Sequence, residues 1–378
     1  MIYLDNAATS WPKAPTVAHA IARSIDEPVG NVGRSAHAPA MAAANVLYDC
    51  RSLLQSVMPP TELEKTIFTR NATEALNVAL LGTLMPGNTV LTTPVEHNAV
   101  ARPLYRLSRQ GVKLQFAECD RFGMVNLEDF RTQLRKFSFD LAVFTAANNI
   151  TGAINPVYEM VAACVDFSVP FVIDASQAIG ELPFPAFPHG ASGALCFSLH
   201  KGLLGPSGVG VMALYGDFSP QPLWFGGTGS HSDSEVQPDF LPDKYESGTP
   251  AIHAIAGANA SLVYVRKHFD EIAKKRQQTA RSLWEFLIGF DRLRMLTSDK
   301  ESLGVISVTV REGTIGELSR ALYGKDIAVR SGFHCAPWAH RHLQTVEHGG
   351  AIRFSVGYAT TQEDIEKTVA VVKEELYG

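Results

Sequence analysis

Short β-rich runs alternate with amphipathic helical patterns from about residue 60 to residue 215. Such alternation is typical of a mostly parallel sheet that is covered by helices on both faces. Helical periodicity is clear over residues 73–84 and 156–167. The sequence predicts seven strands, at residues 66–69, 89–92, 112–116, 141–144, 171–173, 194–197 and 210–214. We therefore expect an α/β fold that binds its ligands at the carboxyl ends of the strands.

The rest of the chain predicts a second, smaller α/β unit. Residues 215–250 are rich in Gly, Pro, Ser and Asp, which is typical of a long loop. A helical region follows over residues 252–290 and is long enough to bridge two lobes. The pattern then indicates strand, helix, strand and helix in turn, at residues 305–310, 315–323, 351–356 and 362–376.

Charge and composition argue against several classes of protein. The 378 residues carry a formal net charge of −5, which does not favour nucleic acid or an anionic membrane as a partner. No run of 18 apolar residues predicts a membrane span, and the first residues lack the pattern of a signal peptide. Five cysteines without a Cys-x-x-Cys pair favour a reducing cytoplasm over a disulfide scaffold.

Lys201 and Asp174 each follow an apolar run that predicts a strand. Lys201 comes after residues 193–200 and before a Gly-rich stretch, whereas Asp174 ends residues 170–174. A pyridoxal phosphate (PLP) site needs these two charged groups: a lysine that forms the Schiff base and an acid that keeps the pyridine nitrogen protonated. Lys201 alone would more simply be a solvated surface charge, but the pairing with Asp174 favours a PLP site.

A candidate phosphate site lies at the start of the helix predicted after Arg70. Ala72 and Thr73 open this helix, with Thr73 as the candidate cap, and free backbone N–H groups at such a position suit a phosphate. Ser198 and His200, beside Lys201, would add further donors. A helix cap without any ligand is the simpler alternative.

Three polar residues lie on loops after neighbouring predicted strands. His97, in Glu96-His97-Asn98, lies where an imidazole can stack on a flat ring and exchange protons with a substrate. Asn149 and Gln177 could bond the phenolic oxygen of the cofactor. Each of the three could equally be an ordinary loop residue that bonds to the backbone.

Cys335 differs from the other cysteines in its surroundings. It lies in a Gly-containing stretch beside His334 and Arg330, and nearby positive charge favours a reactive thiolate. The remaining cysteines fall in helical, apolar or strand-bordering positions and are expected to be inert: Cys50, Cys119, Cys164 and Cys196.

A structural zinc site is the alternative for the same region. Five side chains able to bind zinc crowd into fifteen residues, namely His334, Cys335, His340, His342 and His348. Their spacing matches no standard zinc finger, so the reactive thiol is the favoured interpretation.

Arg353 lies inside a predicted apolar strand and needs an anionic partner to offset its desolvation. A substrate carboxylate that the guanidinium binds through two hydrogen bonds would serve, and so would a structural ion pair.

Together these residues resemble the class V aminotransferase superfamily of fold-type I PLP enzymes, in particular its cysteine desulfurase and selenocysteine lyase branch. The similarity covers nearly the whole chain and is carried by motifs in the order of that family. They begin at Tyr3, Asn31, Asn71, Glu96, Asn149, Asp174, Ser198, Tyr245, Arg330 and Arg353. The compact Arg-x-Gly-x-His-Cys-Ala segment resembles the second group of desulfurases, although Phe333 and Gly33 replace histidines frequent in that group.

The resemblance implies a role for individual residues. Lys201, Cys335 and His97 are implied to be catalytic, with Cys335 as the thiol that accepts sulfur. The residues implied for cofactor binding are Ala72, Thr73, His97, Asn149, Asp174, Gln177, Ser198, His200, Lys201 and Thr249. The residues implied for the substrate are Ala8, Asn149, Arg330 and Arg353.

The resemblance also implies an architecture. We expect a large PLP-binding domain with a seven-stranded sheet over residues 15–258, and a small domain formed by residues 1–14 and 259–378. Thr249 matches the residue that the family lends to the phosphate of a neighbouring subunit, which implies a homodimer with shared active sites.

The implied activity is conversion of L-cysteine to L-alanine with a persulfide formed on Cys335, and a sulfur-acceptor protein as a possible partner. A selenocysteine lyase, or another PLP-dependent C–S lyase of the same superfamily, is the alternative within this class. A non-catalytic, metal-binding protein on the same fold is the alternative from another class.

Overall fold

The computed structural model describes residues 1–32, 37–299 and 302–378, so Gly33 and Arg34 of the N-terminal motif lie outside the described residues. The helices are α1 (Val17–Asp26), α2 (Ala38–Leu54), α3 (Ala72–Leu81), α4 (Asn98–Ser108), α5 (Leu127–Lys136), α6 (Val157–Asp166), α7 (Ile252–Leu287), α8 (Gly316–Gly324), α9 (Pro337–His342) and α10 (Gln362–Tyr377). Across the described ranges, no helix is both long and apolar enough to cross a membrane.

The nine predicted strands all form close to their predicted positions. The described strands are β1 (Ile2–Tyr3), β2 (Thr66–Thr69), β3 (Thr89–Thr92), β4 (Lys113–Phe116), β5 (Leu141–Thr145), β6 (Phe171–Asp174), β7 (Gly193–Ser198), β8 (Gly210–Tyr215), β9 (Leu293–Met295), β10 (Val305–Val310), β11 (Ile327–Ala328), β12 (Arg330–Gly332) and β13 (Ala351–Ser355). Among these described strands, four short ones, β1, β9, β11 and β12, are additional to the prediction. The long loop predicted between β8 and α7 contains only turns and bends.

One sheet contains the seven predicted strands, in the order β2-β8-β7-β6-β5-β3-β4. The pairs β4–β3, β3–β5, β5–β6 and β6–β7 are parallel, whereas β8 is antiparallel to both β7 and β2. The prediction of a mostly parallel, seven-stranded sheet is therefore confirmed. Parallel sheets are covered on both faces, which explains why these strands read as continuous apolar runs.

Strand β7 shows how the two faces of this sheet are filled. Ala194 and Cys196 pack into one hydrophobic cluster, and Leu195 and Phe197 pack into another on the opposite face. All four side chains are fully buried. Because successive side chains of a strand point to opposite faces, a one-residue shift of β7 would exchange the two sets, so burial fixes the register.

The order of the strands brings the polar residues of the site together. Asp174 ends β6 and Lys201 follows β7, while His97 and Asn149 follow β3 and β5. Since β3, β5, β6 and β7 are consecutive parallel neighbours, their carboxyl ends lie along one edge of the sheet. The four side chains are therefore carried to the same edge.

A second sheet and its helices form the other core. Its four strands run in the order β12-β13-β10-β9 and are antiparallel, and α8 and α10 contribute to the same hydrophobic cluster. Helix α7, with non-helical backbone at His268, leads from the large sheet to this one. The N-terminal strand β1 pairs with β11 in a separate two-stranded sheet, and Leu4, which follows β1, packs in the same hydrophobic cluster as the four-stranded sheet.

Candidate active site

A cavity of about 780 Å³, including its open mouth, lies at the carboxyl edge of the large sheet. Its lining contains every residue predicted for the site except Cys335 and Thr249: Ala8, Ala72, Thr73, His97, Asn149, Asp174, Gln177, Ser198, His200, Lys201, Arg330 and Arg353. These residues come from segments that are far apart in the sequence. The fold thus assembles one polar cavity from the predicted residues.

Lys201 lies in this cavity with its amine unpaired. Among the described residues, Nζ has no hydrogen-bond partner. The charged groups that act on it are the side chains of Asp174, Arg353, Arg330 and Asp5. Burial lowers the pKa of Lys201 to about 8, although the nearby carboxylate of Asp174 opposes this shift. An amine with such a pKa has a larger neutral, nucleophilic fraction near pH 7 than an ordinary lysine.

Asp174 and His97 also line this cavity, and each accepts a hydrogen bond from a nearby backbone N–H. Asp174 is buried, and its Oδ1 accepts a 2.9 Å hydrogen bond from the backbone N–H of Ser176. His97 caps helix α4, because its Nδ1 accepts a 3.0 Å hydrogen bond from the N–H of Ala99. Burial lowers the pKa of His97 to about 4, so the neutral imidazole carries its proton on Nε2.

The start of helix α3 corrects one prediction. The cap is Asn71 and not Thr73, since Asn71 has extended backbone and its side chain accepts from the N–H of Glu74 at 2.9 Å. Thr73 instead lies in the first turn, and its N–H has no partner among the described residues. The N–H of Ala72 donates to the Ser198 hydroxyl at 2.7 Å.

Two further groups at this helix end face the same region. The hydroxyl hydrogen of Ser198 remains available, because its oxygen accepts from Ala72. His200 uses Nδ1 in a 3.0 Å hydrogen bond with Thr9, which leaves Nε2. A helix N-terminus with free donors is a suitable site for a phosphate group. The donor set therefore fits a phosphate-bearing ligand.

Arg353 is buried and already has an anionic partner. Its Nη2 donates to the Asp5 carboxylate at 2.8 Å, and its Nη1 donates to the carbonyl of Asn149 at 2.9 Å. The Nε atom of Arg353 is buried without a partner among the described residues. The structural ion pair considered for Arg353 is thus present, and one donor remains unused.

Cys335 lies beside the cavity lining rather than in it. It is exposed, and its Sγ accepts a 3.4 Å hydrogen bond from the guanidinium of Arg330. Burial raises the pKa of every other cysteine thiol well above its ordinary value, which agrees with the prediction that they are inert: Cys50, Cys119, Cys164 and Cys196. Only Cys335 thus combines exposure with a cationic neighbour.

Thr249 lies apart from the other predicted residues. It lines a separate cavity of about 1980 Å³, including open solvent, together with Arg70 and the aromatic pair Trp224 and Phe225. Both aromatic side chains are more than half exposed. Thr249 therefore does not reach the polar cavity of its own chain.

The five potential zinc ligands do not converge. His334 and His340 lie 3.4 Å apart through ring nitrogens, but His342 bonds to the carbonyl of Asp120 and His348 to that of Gly313. Within the described residues, no group of three or more His, Cys, Asp or Glu side chains is arranged to bind a metal ion. The arrangement argues against the zinc alternative.

Glu96 and His334 are buried groups at the site to which the sequence assigned no role in catalysis or in binding the cofactor or substrate. Glu96, which precedes His97, is fully buried, and its Oε1 accepts from Thr93 and Thr145 while Oε2 has no partner among the described residues. Burial raises the pKa of Glu96 to about 8. His334 also lines the cavity. Both lie next to predicted residues, and their burial was the signal that the sequence lacked.

Known proteins resemble this chain over its full length. A probable cysteine desulfurase of Methanothermobacter thermautotrophicus is 28% identical over 376 residues, covering 97% of this chain and 92% of the relative. One from Pyrococcus abyssi is 29% identical over 392 residues, covering 99% and 94%. The apo structure of a cysteine desulfurase from Thermococcus onnurineus NA1 superimposes with a TM-score of 0.90 at 27% identity, covering 99% and 94%.

The family model described as aminotransferase class-V matches residues 2–368. Enzymes of this family depend on PLP in general. The match spans both sheets and every residue of the polar cavity, and the large parallel sheet is the one expected of fold-type I. This chain therefore belongs to the class-V aminotransferase family.

Proposed function

We propose that this chain is a PLP-dependent cysteine desulfurase that converts L-cysteine to L-alanine and leaves the sulfur on Cys335. One observation carries the proposal: an unpaired Lys201 amine shares a cavity with Asp174, and the Cys335 thiol lies beside that cavity, 3.4 Å from the Arg330 guanidinium. The similar proteins named cysteine desulfurase support it.

The residues present fit PLP. Lys201 Nζ would carry the covalent link, and Asp174 would face the ring nitrogen. The N–H of Thr73, with Ser198 and His200, would hold the phosphate. The other cofactor contacts remain predictions for Ala72, His97, Asn149 and Gln177. When bound, the cofactor supplies an electron-withdrawing ring that stabilises negative charge at the α-carbon of an amino acid.

The chain's own residues would move the protons. Because burial lowers the pKa of Lys201 to about 8, its neutral amine can take a proton from the α-carbon of a bound amino acid. His97, neutral and protonated on Nε2, can donate a hydrogen bond to the substrate sulfur. Arg353 Nε, buried and unpaired, is a donor for the substrate carboxylate, with Arg330, Asn149 and Ala8 nearby.

Sulfur transfer then requires Cys335 as a thiolate, and the Arg330 guanidinium lies 3.4 Å from its Sγ. Its Sγ forms a bond to the substrate sulfur as the Cβ–S bond breaks. The electron pair of the broken bond stays on the carbon, which takes up a proton to become the methyl group of alanine. In balance, L-cysteine and the Cys335 thiol give L-alanine and a Cys335 persulfide.

Further parts of the proposal concern organisation. We propose a large domain over residues 15–258 and a small domain formed by residues 1–14 and 259–378, since the two sheets have separate hydrophobic clusters. We also propose a homodimer in which Thr249 reaches the phosphate of the neighbouring subunit, because Thr249 lines a different cavity in its own chain. A cytoplasmic location and a protein that accepts the sulfur remain predictions.

The test compares PLP-loaded wild type with Cys335→Ser and Lys201→Ala. Each protein is incubated with L-cysteine or L-selenocysteine, and alanine is quantified. Borohydride reduction and peptide mass spectrometry then identify the cofactor-bearing residue. We expect the wild type to carry the adduct on Lys201 and to form alanine and a Cys335 persulfide. Cys335→Ser should retain the adduct but lose alanine formation from cysteine, and Lys201→Ala should lose both.

Other outcomes would select other functions. Full cysteine turnover by Cys335→Ser would remove that thiol from the reaction. Alanine from selenocysteine alone would favour a selenocysteine lyase, because a C–Se bond is weaker than a C–S bond. An adduct without alanine from either substrate would favour another C–S lyase. Stoichiometric zinc without any adduct would favour the non-catalytic alternative.

A further inference from the structure

The backbone around Cys335 adopts a conformation that side chains usually avoid. His334 has a φ of 47° and Cys335 a φ of 56°, so two consecutive residues with a Cβ lie in the left-handed region. This region is disfavoured for residues other than glycine, and residues held there cluster at functional sites. The surrounding structure must therefore hold the segment in place.

Neighbouring elements bind the carbonyl groups of this segment. The side-chain amide of Asn149 donates to the carbonyl of His334 at 2.9 Å. The backbone N–H of Asn98, at the start of α4, donates to the carbonyl of Cys335 at 2.7 Å. Both bonds tie the segment to the carboxyl edge of the large sheet. They do not by themselves orient the side chains of His334 or Arg330.

A chain of buried side chains orients the ring of His334 and ends on the backbone carbonyl of Arg330. Thr345 Oγ1 lies 2.6 Å from His340 Nδ1, His340 Nε2 lies 3.4 Å from His334 Nδ1, and His334 Nε2 lies 3.1 Å from the carbonyl of Arg330. Thr345 and His340 are fully buried, and His334 is 4% exposed. We name Thr345, His340 and His334 the histidine relay. It ends on Arg330, whose side chain contacts the Cys335 sulfur.

The proton positions in the relay follow from its last acceptor. A carbonyl oxygen only accepts, so His334 Nε2 must carry a hydrogen, and Nδ1 of the neutral ring must accept. His340 must then donate from Nε2 and accept at Nδ1, which makes the Thr345 hydroxyl the donor. The Thr345 hydroxyl also lies 3.3 Å from the carbonyl of His340, but the 2.6 Å contact is much shorter.

Burial keeps both rings neutral, as this arrangement requires. It lowers the pKa of His340 to about 4 and that of His334 well below its usual range. Arg330 and Arg353 also face His334 and oppose a second positive charge there. The two imidazole rings are stacked at 21° with centroids 5.6 Å apart. A second proton on His334, at Nδ1, would place two N–H groups against each other and break the relay.

The relay also explains the aromatic residue at position 333. The ring of Phe333 packs edge-on against His340, with centroids 5.2 Å apart at 77°. Phe333 itself remains 43% exposed, so it lies between the buried imidazole and solvent. An apolar cover over a polar chain limits access of water to its hydrogen bonds.

We propose that Thr345 and His340 are positioning residues for Cys335, which act through His334 to hold the left-handed conformation at His334 and Cys335. Neither Thr345 nor His340 lines the polar cavity, so we expect neither side chain to touch a substrate. Their effect on sulfur transfer rests on the proposed function, but their effect on the conformation of the segment does not.

The first test measures this conformation in the cofactor-free protein. Thr345→Val keeps the shape of the side chain and removes its hydroxyl, whereas Thr345→Ser keeps the hydroxyl. The amide of Asn98 bonds to the carbonyl of Cys335, and the amide of Ala336 bonds to the carbonyl of Phe333. In hydrogen–deuterium exchange, both amides should exchange about threefold to tenfold faster in Thr345→Val than in wild type. Thr345→Ser should stay near the wild-type rate.

Thr368→Val is the matched control, because Thr368 is equally buried and its hydroxyl donates to the carbonyl of Asp364 in α10. It should leave exchange at the two amides unchanged. Equal exchange in Thr345→Val and wild type would overturn the proposal, as would a Thr345→Ser variant that exchanges as fast as Thr345→Val.

A second measurement tests the relay in the wild-type protein itself. In wild-type protein with ¹⁵N-labelled histidine, the ring nitrogens of His334 and His340 should report neutral rings that are protonated on Nε2 at neutral pH. Assignment uses His340→Gln, whose amide can still donate to His334. A proton on Nδ1 of His340 would contradict the relay directly.

The consequence for catalysis is measured separately with PLP-loaded enzyme and L-cysteine. Thr345→Val should lower kcat for alanine by about threefold to tenfold at unchanged KM, and Thr345→Ser should restore it. A wild type that forms no alanine would count against the proposed function alone, since the exchange and ¹⁵N results would still decide the relay. An unchanged kcat in Thr345→Val, with faster exchange, would overturn its role in positioning the thiol for transfer.

Discussion

Lys201 and His97 occupy the same cavity, and burial lowers the pKa of each, to about 8 and about 4. Both shifts disfavour positive charge at neutral pH. The cavity therefore contains a neutral imidazole and an amine with an increased neutral fraction, while the carboxylate of Asp174 lies close by. Individual residues thus differ in protonation because of their surroundings, and not because of their type.

Glu96 is the buried carboxyl group beside these residues, and it predicts a pH dependence of stability. Its pKa of about 8 in the folded protein lies above its ordinary value of 4.5. Between these two values the folded protein retains a proton that the unfolded chain has lost, so stability falls as pH rises, by up to about 1.4 kcal/mol per pH unit. This contribution to stability is fully present below pH 4.5 and is lost as pH rises to about 8.

Glu96→Gln replaces this carboxyl by a neutral group of the same shape. We expect the variant to become more stable than wild type as pH rises from 5.5 to 8, because the amide cannot ionise. Thermal unfolding of the cofactor-free proteins measures the difference at each pH. Glu366→Gln, at an exposed position on α10, should show no such trend. A constant difference between Glu96→Gln and wild type across this range would contradict a raised pKa.

Among the secondary-structure elements, α3 and β8 meet where the candidate phosphate donors lie. Gly210 begins β8, opposite both Thr69 and Ser198. A Cβ at this position would lie 2.4 Å from the carbonyl carbon of Asn71 and 2.6 Å from its Cα. Real side chains do not approach a backbone this closely. The close packing thus sets where the N-terminus of α3 presents its N–H groups.

Gly210→Ala should therefore displace the start of α3 and weaken cofactor binding. The loss of about one hydrogen bond to a charged group predicts roughly tenfold weaker affinity for PLP, measured by absorbance titration. Gly324→Ala is the matched control, since no atom lies within 4 Å of its added Cβ. A folded Gly210→Ala variant with unchanged affinity would show that this helix end does not hold the phosphate.

For the molecule as a whole, one buried ion pair links the large sheet to the helix that leads to the small sheet. Arg276 of α7 pairs with Glu181, which follows β6, and both side chains are largely buried. Burial raises the pKa of Glu181, and Arg276 opposes that shift. Removal of one partner would leave the other charge buried and unpaired, which is costly.

Arg276→Met should destabilise the protein by about 3–5 kcal/mol, because Glu181 loses its partner. The double variant Glu181→Leu and Arg276→Met should lose less, since no buried charge remains. Denaturant unfolding followed by circular dichroism measures both. Arg281→Met is the control on the same helix: its ion pair with Glu285 is exposed and should contribute less than about 1 kcal/mol. Equal losses in Arg276→Met and Arg281→Met would contradict this account.

The local pattern of residues was sufficient to predict the strands of the large sheet and the polar residues at their ends. Apolar runs such as residues 171–173 and 194–197 report burial on both faces, and the parallel arrangement carries Asp174 and Lys201 to one edge. The pattern does not predict the short strands β1, β9, β11 and β12, since two or three residues are too few to show a periodicity. Asn and Thr both favour helix starts, so the pattern predicts Thr73 as the cap where the structure uses Asn71.

The partners of the site residues could be learned only from the folded chain. Arg353 meets Asp5, which is 348 residues away, and Asn149 meets the carbonyl of His334 across 185 residues. Such contacts depend on how the two sheets pack, and no local propensity encodes them. Burial is equally a property of the packed molecule, and it is burial that lowers the pKa of Lys201 and keeps the rings of the histidine relay neutral.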